Sequence, residues 1–236
     1  WLFAQLGVSK IRLTGGEPLL RPQLPELVKR LKNIDGITDL ALTTNGSLLM
    51  REAARLKEAG LTRITVSLDT LNQDLFRKLN GYKATLDRIL DGIKKCEEIG
   101  FKTIKINVVL QKNINHHHIL DLVRYFKNRK PILRFIEYMD VGNCNEWDPQ
   151  AVFPAADVVK IINAYSPIVP MESNYYGEVA SRYAFTDGSG EIGFIASVTQ
   201  PFCRTCTRAR LSADGKLYTC LFARRGIDMR TLMHHK

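Results

Sequence analysis

The sequence predicts an α/β protein: a parallel βα-barrel followed by a C-terminal antiparallel extension that carries a cysteine cluster. Two observations predict it. From residue 1 to about 140, short apolar strands alternate with amphipathic helices, the rhythm of βα units in a parallel sheet or barrel. After about residue 141 that rhythm breaks, two strands of antiparallel character follow, and Cys203, Cys206 and Cys220 come behind them.

The elements justify this in order. Residues 1–7 look like the end of a helix, and Ile11-Arg12-Leu13 is a strand. Residues 23–33 form a helix entered after Pro22, and Leu40-Ala41-Leu42-Thr43 is a strand. Residues 50–59 form a helix ended by Gly60, and Ile64 to Leu68 is a strand. The helix at 84–99 carries Leu86, Ile89, Leu90 and Ile93 at helical spacing and stops at Gly100. Residues 103–110 are a strand, 116–128 a helix with Asn115 as N-cap, and 132–139 a strand. Segments 179–185 and 191–198 pair through Asp187-Gly188-Ser189-Gly190. The expected division is a barrel core over 1–140 and an extension over 141–236 packed on it, rather than two independent domains.

Composition sets the bounds. The chain has 236 residues, 45% hydrophobic and 25% charged, enough for one large α/β domain. No apolar run approaches the roughly 20 residues of a membrane span, so no membrane is expected as partner. No secretory leader is expected, and an opening at Trp1 without Met suggests a fragment of a longer parent. The formal charge of +10 suits phosphate-bearing partners. The surplus is concentrated from Cys203 to Lys236, where eight Lys or Arg stand against two Asp or Glu. Composition alone leaves nucleic acid and a polyanionic small molecule both open. Five cysteines, clustered toward the C-terminus, argue against a disulfide framework and for a reducing compartment, the cytoplasm.

The strands are not uniformly apolar, as strands covered on both faces should be. Ile11 and Leu13 oppose Lys10, Arg12 and Thr14; Leu40 and Leu42 oppose Thr43 and Asn45; Ile64, Val66 and Leu68 oppose Thr65, Ser67 and Asp69; Ile104, Ile106 and Val108 oppose Lys105 and Asn107. An open sheet with one face in water gives the same alternation. A barrel with a binding cavity at the strands' carboxyl ends makes Lys10, Arg12 and Lys105 inward cations that need an anion, because an unpaired buried charge is costly. Arg134 does not fit the alternation cleanly.

Three motifs bear on chemistry. Thr14-Gly15-Gly16-Glu17-Pro18 follows the first strand and lets backbone approach a ligand; neither a P-loop nor a dinucleotide fingerprint is present. Cys203-x2-Cys206-x13-Cys220 supplies three thiolates. Spacing leaves zinc and iron–sulfur equally open. The missing fourth ligand favours iron, since structural zinc takes four protein ligands and Cys96, Cys144, His234 and His235 are poorly placed. Arg208 and Arg210, two apart in an extended segment, share a face and offer forked donors to phosphate. His116, His117 and His118 fan out on a helix and make no joint ligand set. Cys96 is expected in the core, Cys144 as a free loop thiol, and the charged helix at 51–58 as a solvated face.

Lys10 to Pro18, Thr43-Thr44-Asn45-Gly46, Val66-Ser67-Leu68-Asp69, Lys105-Ile106-Asn107, Arg134 to Met139 and the cysteine block with Thr207-Arg208-Ala209-Arg210 resemble the GTP 3′,8-cyclase family of radical S-adenosylmethionine enzymes. The resemblance runs through nearly the whole chain. It implies an incomplete parallel (β/α)6 TIM-like barrel of radical SAM type, truncated here at its N-terminus. It implies a lyase that converts GTP to (8S)-3′,8-cyclo-7,8-dihydroguanosine 5′-triphosphate in the first step of molybdenum cofactor synthesis. By likeness, Gly16, Ser67 and Met139 contact S-adenosylmethionine. Arg12, Thr43, Lys105, Arg208 and Arg210 contact GTP, with Lys10 close by. Cys203, Cys206 and Cys220 hold a [4Fe-4S] cluster, the second of two. The cluster that cleaves S-adenosylmethionine is held in the family by an N-terminal CxxxCxxC, which does not occur in this chain, so no catalytic residue is assigned and the chain by itself is expected to be inactive. The implied functional partner is the cyclic pyranopterin monophosphate synthase of the next step, and a homodimer stays open.

Two other readings remain at this point. A zinc-bearing basic nucleic-acid module predicts cations on an outer face and salt-dependent binding. A stand-alone protein that holds GTP without chemistry is the other.

Overall fold

A computed structural model describes residues 1–81, 84–141 and 147–234, with the His234 side chain left aside; Cys144 and His235 lie outside the described residues. The strands are β1 (Lys10–Leu13), β2 (Asp39–Thr44), β3 (Arg63–Ser67), β4 (Thr103–Leu110), β5 (Ile132–Glu137), β6 (Ile168–Met171), β7 (Ser181–Phe185), β8 (Glu191–Ile195), β9 (Arg210–Leu211), β10 (Lys216–Tyr218) and β11 (Ile227–Asp228). The helices are α1 (Leu2–Gln5), α2 (Leu24–Lys32), α3 (Leu49–Glu58), α4 (Gln73–Asn80), α5 (Leu86–Glu98), α6 (Ile119–Phe126), α7 (Ala155–Tyr165) and α8 (Met229–His234).

One eight-stranded sheet runs in the order β1-β2-β3-β4-β5-β8-β7-β6. It is parallel from β1 through β8, then antiparallel to β7 and β6. A separate three-stranded sheet, β11-β10-β9, is antiparallel. The α/β class, the parallel sheet and the antiparallel hairpin of β7 and β8 are as the sequence predicts. The strand at 132–139 is shorter than expected and ends at Glu137.

The core lies between the outer strand faces and the helices. Ile104, Ile106, Val108 and Leu110 alternate into it from β4, while Leu86, Ile89, Ile93 and Cys96 meet it from α5. The helical 3–4 spacing and the strand period of two produce these matching stripes. Burial pushes the Cys96 thiol up to about 12, as befits an inert core residue.

Several elements were not predicted, among them α4, α7 and β6. α4 buries Phe76 alone, too short a stripe to give a period, although Asn72 caps it by accepting from the Leu75 N–H at 2.9 Å. α7 buries Ala155, Val158 and Ile162. β6 is an edge strand with Val169, Pro170 and Met171 exposed. Asn115 stands at the expected N-cap position, ahead of a 3-10 turn over His116–His118 that leads into α6, but its side chain makes no cap hydrogen bond. Its buried side chain accepts from Gln111 N–H at 2.8 Å and donates to the carbonyls of Val109 and Asp69, tying the exits of β4 and β3 together.

Glu137 closes β5. One carboxylate oxygen accepts from the Ala155 N–H at 2.8 Å and the Thr199 hydroxyl at 2.5 Å. The other accepts from the N–H groups of Val198 and Thr199, each at 2.8 Å. Burial works to raise its pKa, but these four donors together hold it below the usual carboxylate value. Its charged form therefore stabilises the fold above about pH 4.5, the usual value, and that contribution is lost as pH falls through the lower folded value. Glu137→Gln is expected to cost about 3 kcal/mol in urea unfolding at pH 7 and to flatten the acid limb of the stability profile. Equal stability at pH 7 would show that the carboxylate carries no such role.

Candidate active site

The register sets which side chains share the inner face. Arg12 sits beside Ala41, which sits beside Arg63; Thr43 neighbours Thr65, which neighbours Lys105; Ser67 neighbours Asn107, and Asn107 neighbours Arg134. Lys10, Arg12, Lys105, Arg63 and Arg134 thus share the face turned away from the helices. The first three were expected there. Arg63 and Arg134 were missed, although counting by twos along β3 and β5 places both.

Carboxylates match only part of this charge. Arg63 donates from Nε to Asp39 at 2.7 Å, and Arg182 pairs with Glu191 at 2.8 Å. Arg12 donates to the Thr43 hydroxyl at 3.1 Å. Arg134, 7% exposed, donates from Nε and Nη2 to Asn107 Oδ1 at 3.0 and 2.7 Å. Among the described residues, Arg12, Lys105 and Arg134 make no ion pair with a carboxylate.

The charges feel this. Burial, then the charges of Arg134 and Arg63, push the Lys105 ammonium down to about 8. Burial, then the Arg12 charge, bring Arg134 down to about 10. Arg12 is lowered too, by burial and then by Arg63. Arg12 and Arg134 lie four strands apart, about 19 Å in a flat sheet at about 4.8 Å per strand. Arg134 nevertheless feels the charge of Arg12, which long side chains on one face can bring about across that span. Lys10 and Arg12 are nonetheless exposed by area, contrary to the buried placement expected, because β1 is an edge strand with a neighbour on one side only. The Arg12 head is therefore both crowded by protein and open to an arriving ligand.

Gly16, Ser67 and Met139 all stand just at or past the carboxyl ends of parallel strands, on one rim of the sheet. The glycine loop is locked there by Glu17. Its carboxylate accepts from the Leu19 N–H at 2.9 Å, the Thr44 hydroxyl at 2.7 Å and the Asn45 N–H at 2.7 Å. Nearby, burial raises Asp69 to about 6 despite its hydrogen bond from the Val109 N–H.

Over this face runs a strap, residues 172–178, between β6 and β7. The Lys10 ammonium sits 3.4 Å from the centre of the Tyr175 ring. Glu178 accepts from the Asn174 N–H at 2.7 Å and raises the pKa values of Lys105 and Arg134 by its charge. Neither strap residue was singled out from sequence.

The cysteine segment follows. Cys203, Cys206 and Cys220 are free and exposed. The turn is closed by the Cys206 N–H donating to the Cys203 carbonyl at 3.2 Å. Arg208 donates to Cys206 Sγ at 3.0 Å, and hydrogen bonds from its backbone and side chain hold that thiol below its usual pKa. The Phe222 N–H donates to Cys220 Sγ at 3.5 Å. Among the described residues, Arg208 Nε and Arg210 Nη1 are buried with no hydrogen-bond partner. An orphaned buried donor costs about 1–3 kcal/mol, so these N–H groups suit an acceptor from a ligand. Arg208 is close enough to Arg12 for its charge to lower the Arg12 pKa, which joins the segment to the cationic face.

The Radical SAM superfamily pattern matches residues 2–126, and the Molybdenum Cofactor Synthesis C pattern matches residues 132–236. GTP 3′,8-cyclase of Xanthomonas campestris pv. campestris (strain 8004) is 54% identical over 228 residues, 97% of this chain and 67% of that protein. The chain belongs to the GTP 3′,8-cyclase family. A second GTP 3′,8-cyclase, from Acidothermus cellulolyticus, is 52% identical over 98% of this chain and 64% of its own length. The chain thus spans about two thirds of these relatives. A domain of pyruvate-formate lyase-activating enzyme from Bacteroides vulgatus superposes with a TM-score of 0.50 at 21% identity, over 66% of this chain and 93% of that one, a likeness of fold.

Radical SAM membership implies a [4Fe-4S] cluster and S-adenosylmethionine. The chemistry of the three thiols fits cluster ligation: they are unpaired, and two receive N–H donors at sulfur, a feature that tunes such clusters. Among the described residues, however, no three His, Cys, Asp or Glu side chains stand close enough together to hold a metal ion. Also among them, no helix is long and apolar enough to cross a membrane.

Lys105 yields a direct test. Its folded pKa of about 8 lies below the usual 10.5, so folding penalises its charged form at neutral pH, and the penalty fades as pH rises from about 8 to 10.5. Lys105→Met is expected to raise the thermal midpoint at pH 7 and to lose that advantage near pH 10.5. A lower midpoint at pH 7 would mean that the ammonium is favourably paired.

Proposed function

We propose that this chain is the GTP-binding and cysteine-bearing portion of a radical SAM GTP 3′,8-cyclase, acting in molybdenum cofactor synthesis. The observation that carries the reading is the set of inner-face cations, Arg12, Lys105 and Arg134, without carboxylate partners. A triphosphate supplies the missing negative charge. The orphaned N–H groups of Arg208 and Arg210 supply donors to the same ligand, and Thr43, already bonded to Arg12, orients that guanidinium. Lys10 borders the site. Family likeness at 54% identity supports the substrate assignment.

In this reading Gly16, Ser67 and Met139 bind S-adenosylmethionine along the strand ends. S-adenosylmethionine held there would supply, with one electron from a cluster whose ligands lie outside this chain, the radical chemistry at C3′ of the bound GTP. Cys203, Cys206 and Cys220 hold the second [4Fe-4S] cluster, and their sulfurs gather as it binds. The proposed division is a barrel core over 1–140 and an extension over 141–236. The enzyme would work in the cytoplasm and hand its product to the cyclic pyranopterin monophosphate synthase. A zinc-bearing nucleic-acid module is not favoured, because Lys105 and Arg134 face the sheltered inner side of the sheet.

Two measurements test this. GTP affinity, measured anaerobically after iron–sulfur reconstitution, is expected to fall as pH rises through about 8, where Lys105 loses its proton, and Lys105→Ala to remove that fall. Arg210→Ala is expected to weaken GTP binding about tenfold, the worth of one charge-assisted hydrogen bond, with iron content unchanged. Stoichiometric zinc without sulfide in the reconstituted chain would overturn the reading.

A further inference from the structure

The strap over residues 172–178 touches both halves of the site. At one end Tyr175 lies against the Lys10 ammonium, at 3.4 Å from ring centre to nitrogen, on the edge strand of the cationic face. At the other end Gly177 lies against the segment that carries Cys203, Cys206, Arg208 and Arg210. A Cβ on Gly177 would stand 2.7 Å from the Thr205 carbonyl oxygen and 3.1 Å from the Thr207 hydroxyl. No side chain fits there unless the backbone at Thr205 moves. Gly177 also has φ +79, the left-handed region that favours glycine. The strap is braced from beneath by Arg182, which donates to the Glu172 carbonyl at 2.9 Å, and it closes on itself through the Glu178 N–H donating to the Tyr175 carbonyl at 3.2 Å.

We propose that the strap is a positioning element for substrate, with Gly177 as its contact, holding Arg208 and Arg210 at the height above Arg12, Lys105 and Arg134 that one GTP molecule spans. The physical need is plain. The cationic floor belongs to the parallel sheet, whereas the two arginines belong to the small antiparallel sheet and the turn before it, and among the described residues no strand pairing links the two sheets. Something must fix their separation, or a ligand reaching from one to the other would have to order the segment on binding and lose affinity by that amount. The close approach of backbone to backbone at Gly177 does this without a side chain in the path of the ligand. The inference rests on the proposed GTP reading.

Gly188 supplies the control. It lies in the turn between β7 and β8 with φ +76, nearly the same backbone conformation, and a Cβ there would meet nothing within 4 Å. Gly177→Ala and Gly188→Ala therefore impose similar backbone strain, and only the first displaces the arginine segment. In the reconstituted full chain, isothermal titration with GTP should show Gly177→Ala weaker by about tenfold or more, the scale of a misplaced contact group, with Gly188→Ala close to wild type and the two thermal midpoints similar. The Gly177→Ala loss should also be non-additive with that of Arg208→Ala, because both act through one group. Wild-type affinity in Gly177→Ala, or strict additivity with Arg208→Ala, overturns the positioning role and leaves the GTP reading standing. Absence of GTP binding in the wild type takes down both. If Gly177→Ala does not fold, Tyr175→Ala, which removes an exposed ring from the other end of the strap, carries the same test; unchanged affinity there overturns the proposal.

Discussion

Arg12, Lys105 and Arg134 crowd one face of the sheet; Arg12 donates to the Thr43 hydroxyl and Arg134 to the Asn107 amide oxygen, and among the described residues no carboxylate forms an ion pair with any of the three. This is an unfavourable arrangement for an isolated chain, since burial penalises each charge and the neighbours repel. Most of the surrounding architecture makes it tolerable. The opposite faces of the same strands are apolar, with Ile104, Ile106 and Val108 of β4 and Leu133 and Phe135 of β5 buried in the core and Ile11 and Leu13 of β1 packed against it, so each strand is anchored by its apolar half. Asp39 and Glu191 quench Arg63 and Arg182 and leave the central cations uncancelled. A preorganised site of this kind holds its strain before the ligand arrives and releases it on binding.

Sequence legibility follows from which contacts are local. Strand existence and inner-face parity were legible because a period of two survives without knowledge of partners. Lys10, Arg12, Thr43 and Lys105 were placed on that basis. Arg134 was equally placeable by parity; what hid it was the strand Ile132-Leu133-Arg134-Phe135-Ile136, whose apolar residues on both faces blur the alternation. Asn115 looked like a cap because caps are local, whereas its actual bonds reach back to Asp69 across β3 and β4. The strap was illegible for the same reason: nothing near Tyr175 or Gly177 in sequence announces Lys10 or Thr205. The spacing of the cysteines told what kind of ligand they could be but not where the turn and the small sheet place them, and among the described residues they form no metal-holding group.

The Radical SAM and Molybdenum Cofactor Synthesis C patterns meet between residues 126 and 132, yet the molecule does not divide there. β8, from the second half, pairs parallel with β5 and completes the sheet. Glu137 reinforces this seam by binding the start of α7 and the Val198–Thr199 backbone, a short stretch before Cys203. The position of the cysteine segment is thereby referred to the end of a central strand rather than to a free linker.

The far edge of the sheet is closed in a different manner from the near one. β6 presents Pro170 between Val169 and Met171, and a proline has no N–H with which to enlist another strand. β1 has no such residue. Proline thus guards one edge of the ladder, beside β6, and not the other, where β1 carries Lys10 and Arg12.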